Sequence, residues 1–96
     1  MALLLFEIWD DPEHSAVGFS AVSEQGDKLR KLVEPNAVRV HSFFASSDFE
    51  AFQMNYDWHG WGVWKPEPNW SEHHFTEEEA LEQQLYLASR QNEGRP

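Results

Sequence analysis

Two helix-start signatures, Ser47 with Glu50 and Thr76 with Glu79, force the second half of this 96-residue chain to read helix, break, helix. In such a capping box the hydroxyl oxygen accepts a hydrogen bond from the backbone N–H three residues on, and the glutamate reaches back toward the cap. Beyond Ser47, Phe49, Phe52 and Tyr56 fall on one stripe at helical spacing. Gly60 is a natural stop, because the left-handed conformation that follows many helices costs glycine nothing. Beyond Thr76, Glu77 and Glu78 lie where the helix dipole favours anions. Leu81, Leu85 and Ala88 are the stripe this last helix is expected to bury, ending near Arg90, with 91–96 as a frayed tail. Between the two helices no period survives. Gly60, Gly62, Pro66 and Pro68 exclude a regular element, yet Trp61, Trp64 and Trp70 are too apolar for a free linker. Residues 60–75 therefore read as an ordered loop that packs on something.

The first half alternates as strands do. In Leu3–Trp9, Leu4, Phe6 and Ile8 share a face; Asp10-Asp11-Pro12-Glu13 is turn chemistry; Val17, Phe19 and Ala21 alternate with Gly18 and Ser20. These two strands predict a hairpin. Ser23 is placed to cap a helix over Glu24–Val33 that buries Leu29, Leu32 and Val33 and ends at Glu34-Pro35-Asn36. A third strand follows from Val38 to Phe44. The order is β-β-α-β-α-loop-α, an α+β domain spanning residues 1–96. Its simplest layering is a three-stranded antiparallel sheet with helices on one face. A crossover through the first helix sets strand three beside strand one.

Composition narrows the function classes. The chain is 41% hydrophobic and 15% aromatic, enough to fold despite its charge. It has no cysteine, which excludes disulfides, thiolate zinc sites and cysteine nucleophiles and fits a reducing cytoplasm. The apolar opening is cut by Glu7 and Asp10, too short for a membrane span or a signal sequence. The net charge is −10, and between Val40 and Ser89 Lys65 is the lone Lys or Arg against nine acids. A field of one sign disfavours direct contact with nucleic acid or anionic membranes. No glycine-rich phosphate loop or other cofactor fingerprint is present, so no cofactor is expected.

Three groups of residues could carry a function. His59, His73 and His74, with Asp57, offer the donors of a small metal or hydrolytic site, but their spacing matches no known ligand pattern. Ser71, Glu72 and His73 are sequence neighbours, which seldom converge on a reacting atom, so no catalytic residue is assigned and no enzyme is expected. Trp58, Trp61, Trp64 and Trp70 either close one end of the core or remain accessible as anchors for a partner. Glu77, Glu78 and Glu82 are either a solvated helix face or a docking surface for a basic partner.

The residues Phe6-Glu7, Leu32-Val33-Glu34-Pro35-Asn36-Ala37, Ala45-Ser46-Ser47-Asp48-Phe49-Glu50-Ala51 and His59-Gly60-Trp61-Gly62-Val63-Trp64-Lys65-Pro66 together resemble a group of short, uncharacterised bacterial proteins. That group reads as a leucine-x-proline-glycine-alanine turn, a serine-x-glutamate-glutamate-alanine helix start and a glycine-tryptophan-glycine-x-tyrosine-x-proline loop. The likeness covers about residues 5–68, with Asn36 in place of a glycine and Trp64 in place of a tyrosine. It implies a bacterial setting and an α+β fold, and it implies no activity. The function expected from the residues is a non-enzymatic protein-binding module using the 56–75 loop and the acidic start of the last helix. An acidic inhibitor that mimics nucleic acid, and the histidine site, are the alternatives. A homodimer through the aromatic patch is also open.

Overall fold

Because side chains alternate across a strand, Leu4, Phe6 and Ile8 must leave the sheet on one side and Leu5, Glu7 and Trp9 on the other. The two sides have opposite chemistry, and the fold follows from that difference. The computed structural model describes residues 2–93, with side chains through residue 90. Its elements are β1 (Leu4–Asp11), β2 (Ala16–Ala21), α1 (Glu24–Val33), β3 (Val38–Ala45), α2 (Asp48–His59) and α3 (Glu77–Glu93). The sheet order is β2-β1-β3 with both pairings antiparallel, so the expected α+β class, hairpin and crossover are present. No helix among the described residues is long and apolar enough to cross a membrane.

The apolar side of the sheet is a stack of rings. Phe6 lies between Phe19 at 5.5 Å and Phe43 at 5.7 Å, with Phe75 at 5.8 Å. Phe52 meets Phe19 edge-on at 5.2 Å, and the fully buried Ala51 lets α2 approach closely. Such ring pairs contribute about 0.5–1.5 kcal/mol each beyond the area they bury. α2 is capped as the sequence requires: Glu50 N–H donates to Ser47 Oγ, and Gly60 takes the left-handed conformation at φ 73°.

The other side is ionic. Glu7, 1% exposed in the middle of β1, accepts hydrogen bonds from Arg90 of α3 at 2.8 and 2.9 Å and from Arg39 of β3 at 2.9 Å. Asp27 of α1, also buried, receives Arg30 at 2.9 Å, Arg90 Nε at 3.0 Å and the Tyr86 hydroxyl. Arg30 in turn covers the Trp9 ring, its Cζ 3.5 Å from the centroid. Arg90 therefore ties α3 to β1 and α1 at once. Gln83 extends the ladder where β2 has ended: it accepts from Leu5 N–H and donates to the Leu5 and Val22 carbonyls.

This ionic layer changes the expected phase of two helices. Leu29, Leu32 and Val33 of α1 face solvent, at 62, 80 and 57% exposed, instead of the core. In α3, Leu81, Leu85 and Ala88 are exposed too, and Ala80, Gln83 and Arg90 turn inward. The reason is the carboxylate in β1. A buried charge without partners costs several kcal/mol, so the helices present the faces that supply cations and amides, and their leucines are left outside. α2 packs on the apolar side of the sheet, and Arg90 of α3 and Asp27 of α1 meet at the ionic side. α3 also runs three residues past Arg90, through Glu93, into the stretch expected to fray; residues 94–96 lie outside those described.

Arg90 is the cation that Glu7 and Asp27 share, and without it Glu7 keeps Arg39 and Asp27 keeps Arg30, so Arg90→Met is expected to lower unfolding stability by about 3 kcal/mol in urea titrations. Burial raises the Glu7 carboxyl's pKa, but hydrogen bonds from Arg90 and Arg39 outweigh it and hold the group below its ordinary 4.5. The stabilisation is thus complete above pH 4.5 and is lost as the pH falls through the lower folded value. Glu7→Gln is expected to flatten that acid limb of the stability profile.

Candidate functional site

Residues 60–75 form a loop pinned at several points to α2. Near its start Gln53 is the clamp: its amide donates to Asp57 at 2.8 Å and to the Gly62 carbonyl at 3.1 Å, and its oxygen accepts from Trp64 N–H at 3.0 Å. Near its end Asp48 N–H donates to the His73 carbonyl, Phe75 N–H donates to the Ser46 carbonyl, and Asp48 Oδ1 accepts from His73 N–H. Ser47, nearly fully buried, donates its hydroxyl to Glu72. The second capping box closes the segment: Glu79 N–H donates to Thr76 Oγ1, and Thr76 N–H donates to the Glu79 carboxylate. That reciprocal bond, ahead of burial and helped by His73, holds the Glu79 carboxyl below its ordinary pKa.

The four candidate tryptophans divide into two groups. Trp64 and Trp70 extend the core. Trp64 stacks on Phe52 at 4.8 Å and meets Phe49 edge-on at 5.1 Å, and Trp70 touches Phe49, Phe52 and Trp64 at 5.2–5.9 Å. Trp64 is half-buried and Trp70 is 41% exposed at the rim. Trp58 and Trp61 lie at the other end of α2. His41 of β3 stacks on Trp58 at 5.3 Å, Trp58 meets His59 edge-on at 4.9 Å, and His59 lies face to face with Trp61 at 4.0 Å. Tyr56 braces Trp61 from its edge at 5.3 Å. The result is a shelf of rings in which Trp58 and Trp61 remain 44 and 57% exposed. Beneath it, Asn55 Oδ1 and His59 Nε2, one helical turn apart, are buried and have no hydrogen-bond partner among the described residues.

The three histidines go to three separate places. His59 is in the shelf, His73 Nε2 is 2.9 Å from Glu79, and His74 Nε2 is 3.5 Å from Glu72. Asp57 is held by Gln53. The acids separate as well. Glu82 lines a groove with Leu4, Ala21, Val22 and Tyr86, whereas Glu77 lines another with Ala2, Leu3 and Phe44. Glu78 is exposed. α2 is about 18 Å long, and its N-terminus adjoins the His73–Phe75 segment that leads into α3, so the Trp58–Trp61 shelf is a helix length away from the start of α3.

Where sequence reasoning saw only a turn, the structure gathers ligating atoms. Among the described residues, donor atoms of Asp11, Glu13 and His14 lie within 4.8 Å of one another at the β1–β2 turn. Their hydrogen bonds are those of turn closure: Glu13 N–H donates to Asp11 Oδ1, His14 N–H donates to the Asp11 carbonyl, and His14 Nδ1 sits 2.6 Å from Asp11 Oδ2. Ser15 completes the turn at φ 51°. The structural roles of Gln53 and Gln83 were also not apparent from the sequence, since an amide at a helical position carries no sign of the backbone it will meet.

The chain matches no protein-family model, no curated protein and no solved structure. What bears on its function is therefore its own residues.

The hydrogen bond that His14 donates to the Asp11 carboxylate raises the imidazole's pKa above its ordinary 6.5. A raised histidine stabilises the fold fully below its unfolded value and loses that contribution as the pH rises through the folded one. An NMR titration is expected to place the His14 midpoint above 6.5 and to move it down in Asp11→Asn.

Proposed function

We propose that this protein is a non-enzymatic recognition module, that its contact surface is the ring shelf at the C-terminal end of α2, and that it receives a cationic segment of another protein. The observation that carries this reading is the presentation of Trp61. Its ring is 57% exposed yet held face to face with His59 at 4.0 Å and braced by Tyr56. Tryptophan supplies much contact area with few rotors to freeze, and a ring already fixed in place loses little more on binding. The faces of Trp58 and Trp61 attract Lys and Arg side chains, and the acid Asp57 lies on the same end of α2, next to Trp58. The unpaired Asn55 Oδ1 and His59 Nε2 lie under the same shelf. Buried polar atoms without partners oppose stability, and proteins tolerate such breaches chiefly where function requires them.

This reading is preferred to the acidic mimic of nucleic acid because the acids do not form a row. Glu72 and Glu79 are engaged within the loop, and Glu77 and Glu82 line different grooves. The lack of cysteine suits the reducing cytoplasm, where we place the module.

Affinities for a panel of arginine-rich, lysine-rich, neutral and acidic peptides test the idea. Basic peptides are expected to bind best, with association slowed by added salt. Trp61→Ala is expected to weaken that binding about tenfold or more while leaving the unfolding midpoint nearly unchanged. Trp64→Ala, by contrast, is expected to destabilise the fold by about 3–5 kcal/mol. Equal affinity for acidic and basic peptides, or a silent Trp61→Ala, rejects the proposal.

A further inference from the structure

The side of the molecule opposite the ring shelf carries a second, independent surface. α1 and α3 are joined through Asp27, which meets Tyr86 and Arg90. α1 turns Asp27 inward, α3 turns Ala80, Gln83 and Arg90 inward, and four leucines are left in solvent. Leu32 is 80% exposed, Leu29 62%, Leu85 66% and Leu81 56%. At 100° per residue these form one outward stripe on each helix. The stripes have opposite charged borders. Lys28 and Lys31 flank Leu29 and Leu32 on α1, with Lys28 also paired to Glu24 at 2.9 Å. Glu78 and Glu82 flank Leu81 and Leu85 on α3. A basic-edged stripe beside an acidic-edged one is self-complementary under a twofold axis, because each helix then meets the other kind of helix in the second copy.

We infer that the protein forms a twofold homodimer in which the α1–α3 layer of one copy packs against that of the other, α1 on α3, burying Leu29, Leu32, Leu81 and Leu85. The acidic edge of α3 meets Lys31 across the interface twice, once in each half. The ring shelf takes no part, so this inference and the peptide-binding proposal stand or fall separately.

Sedimentation equilibrium of the full chain decides the matter. The expected mass is twice 11.2 kDa. Leu32→Glu and Leu85→Glu change side chains that are exposed in each protomer, so far-UV circular dichroism is expected to stay unchanged. Each variant is expected to raise the dimer dissociation constant about thirtyfold or more. Lys31→Glu and Glu82→Lys are each expected to weaken the dimer, and combining them to restore it. A monomer at every concentration, including one that another protein captures, overturns the inference. So does a dimer indifferent to both leucine changes, and failure of the charge exchange to recover association overturns the α1-on-α3 pairing.

Discussion

The carboxylate of Glu7 is the constraint to which the rest of the molecule adjusts. It sits at the centre of the central strand, 1% exposed, on the side of the sheet that a second layer must cover. Covering it with leucines would leave a charge in a medium that cannot solvate it, at a cost no nearby apolar contact offsets. Arg90 and Arg39 answer it from two elements distant in sequence, and Arg90 also reaches Asp27. One guanidinium therefore sets the position of α1, the rotation of α3 and the seating of both on β1. Opposite charges with several hydrogen bonds each also specify a single arrangement more sharply than a sliding contact between leucines.

The other side of the sheet solves its packing without charge. Rings run continuously from Phe6 through Phe19 and Phe52 to Trp64 and Trp70. α2 is thus held between the sheet and the loop that follows it. This explains how a segment rich in glycine and proline keeps a defined course: its tryptophans bind to the outer side of the helix, and Gln53 and Asp48 fix its two ends. The rings left over from that packing, Trp58 and Trp61, are then displayed on a rigid helix end rather than on a mobile tip.

Much of this was legible from residue type and spacing. Helix starts were readable because a cap is a local event: Ser23, Ser47 and Thr76 each satisfy a nearby N–H, whatever the rest of the chain does. Gly60 was readable for the same reason. The inward faces of α1 and α3 were not. An apolar stripe on an amphipathic helix points to the core only where the core is apolar, and nothing local to Leu29 or Leu85 reports that a glutamate waits on the sheet. Glu7 and Arg90 are 83 residues apart, and their pairing exists only once β1 and α3 have met. The same holds for the candidate site. The sequence located an unusual aromatic segment, but its division into a core half, Trp64 and Trp70, and a displayed half, Trp58 and Trp61, depends on which rings Phe49, Phe52 and His41 reach first.

The two proposed surfaces are connected by the geometry of the sheet. α1 and α3 cover its ionic side, while α2 and the ring shelf cover its aromatic side, so a twofold contact through the former directs both shelves outward. A dimer so built presents two copies of the shelf at once. Two sites on one particle convert the second contact with a multivalent partner into an intramolecular step, which raises avidity without any new contact, provided that the partner spans the separation. The misalignment of α1 and α3 with their own apolar stripes then has a consequence beyond stability. The charge that turned the leucines outward also supplies the face through which the proposed dimer would pair two shelves.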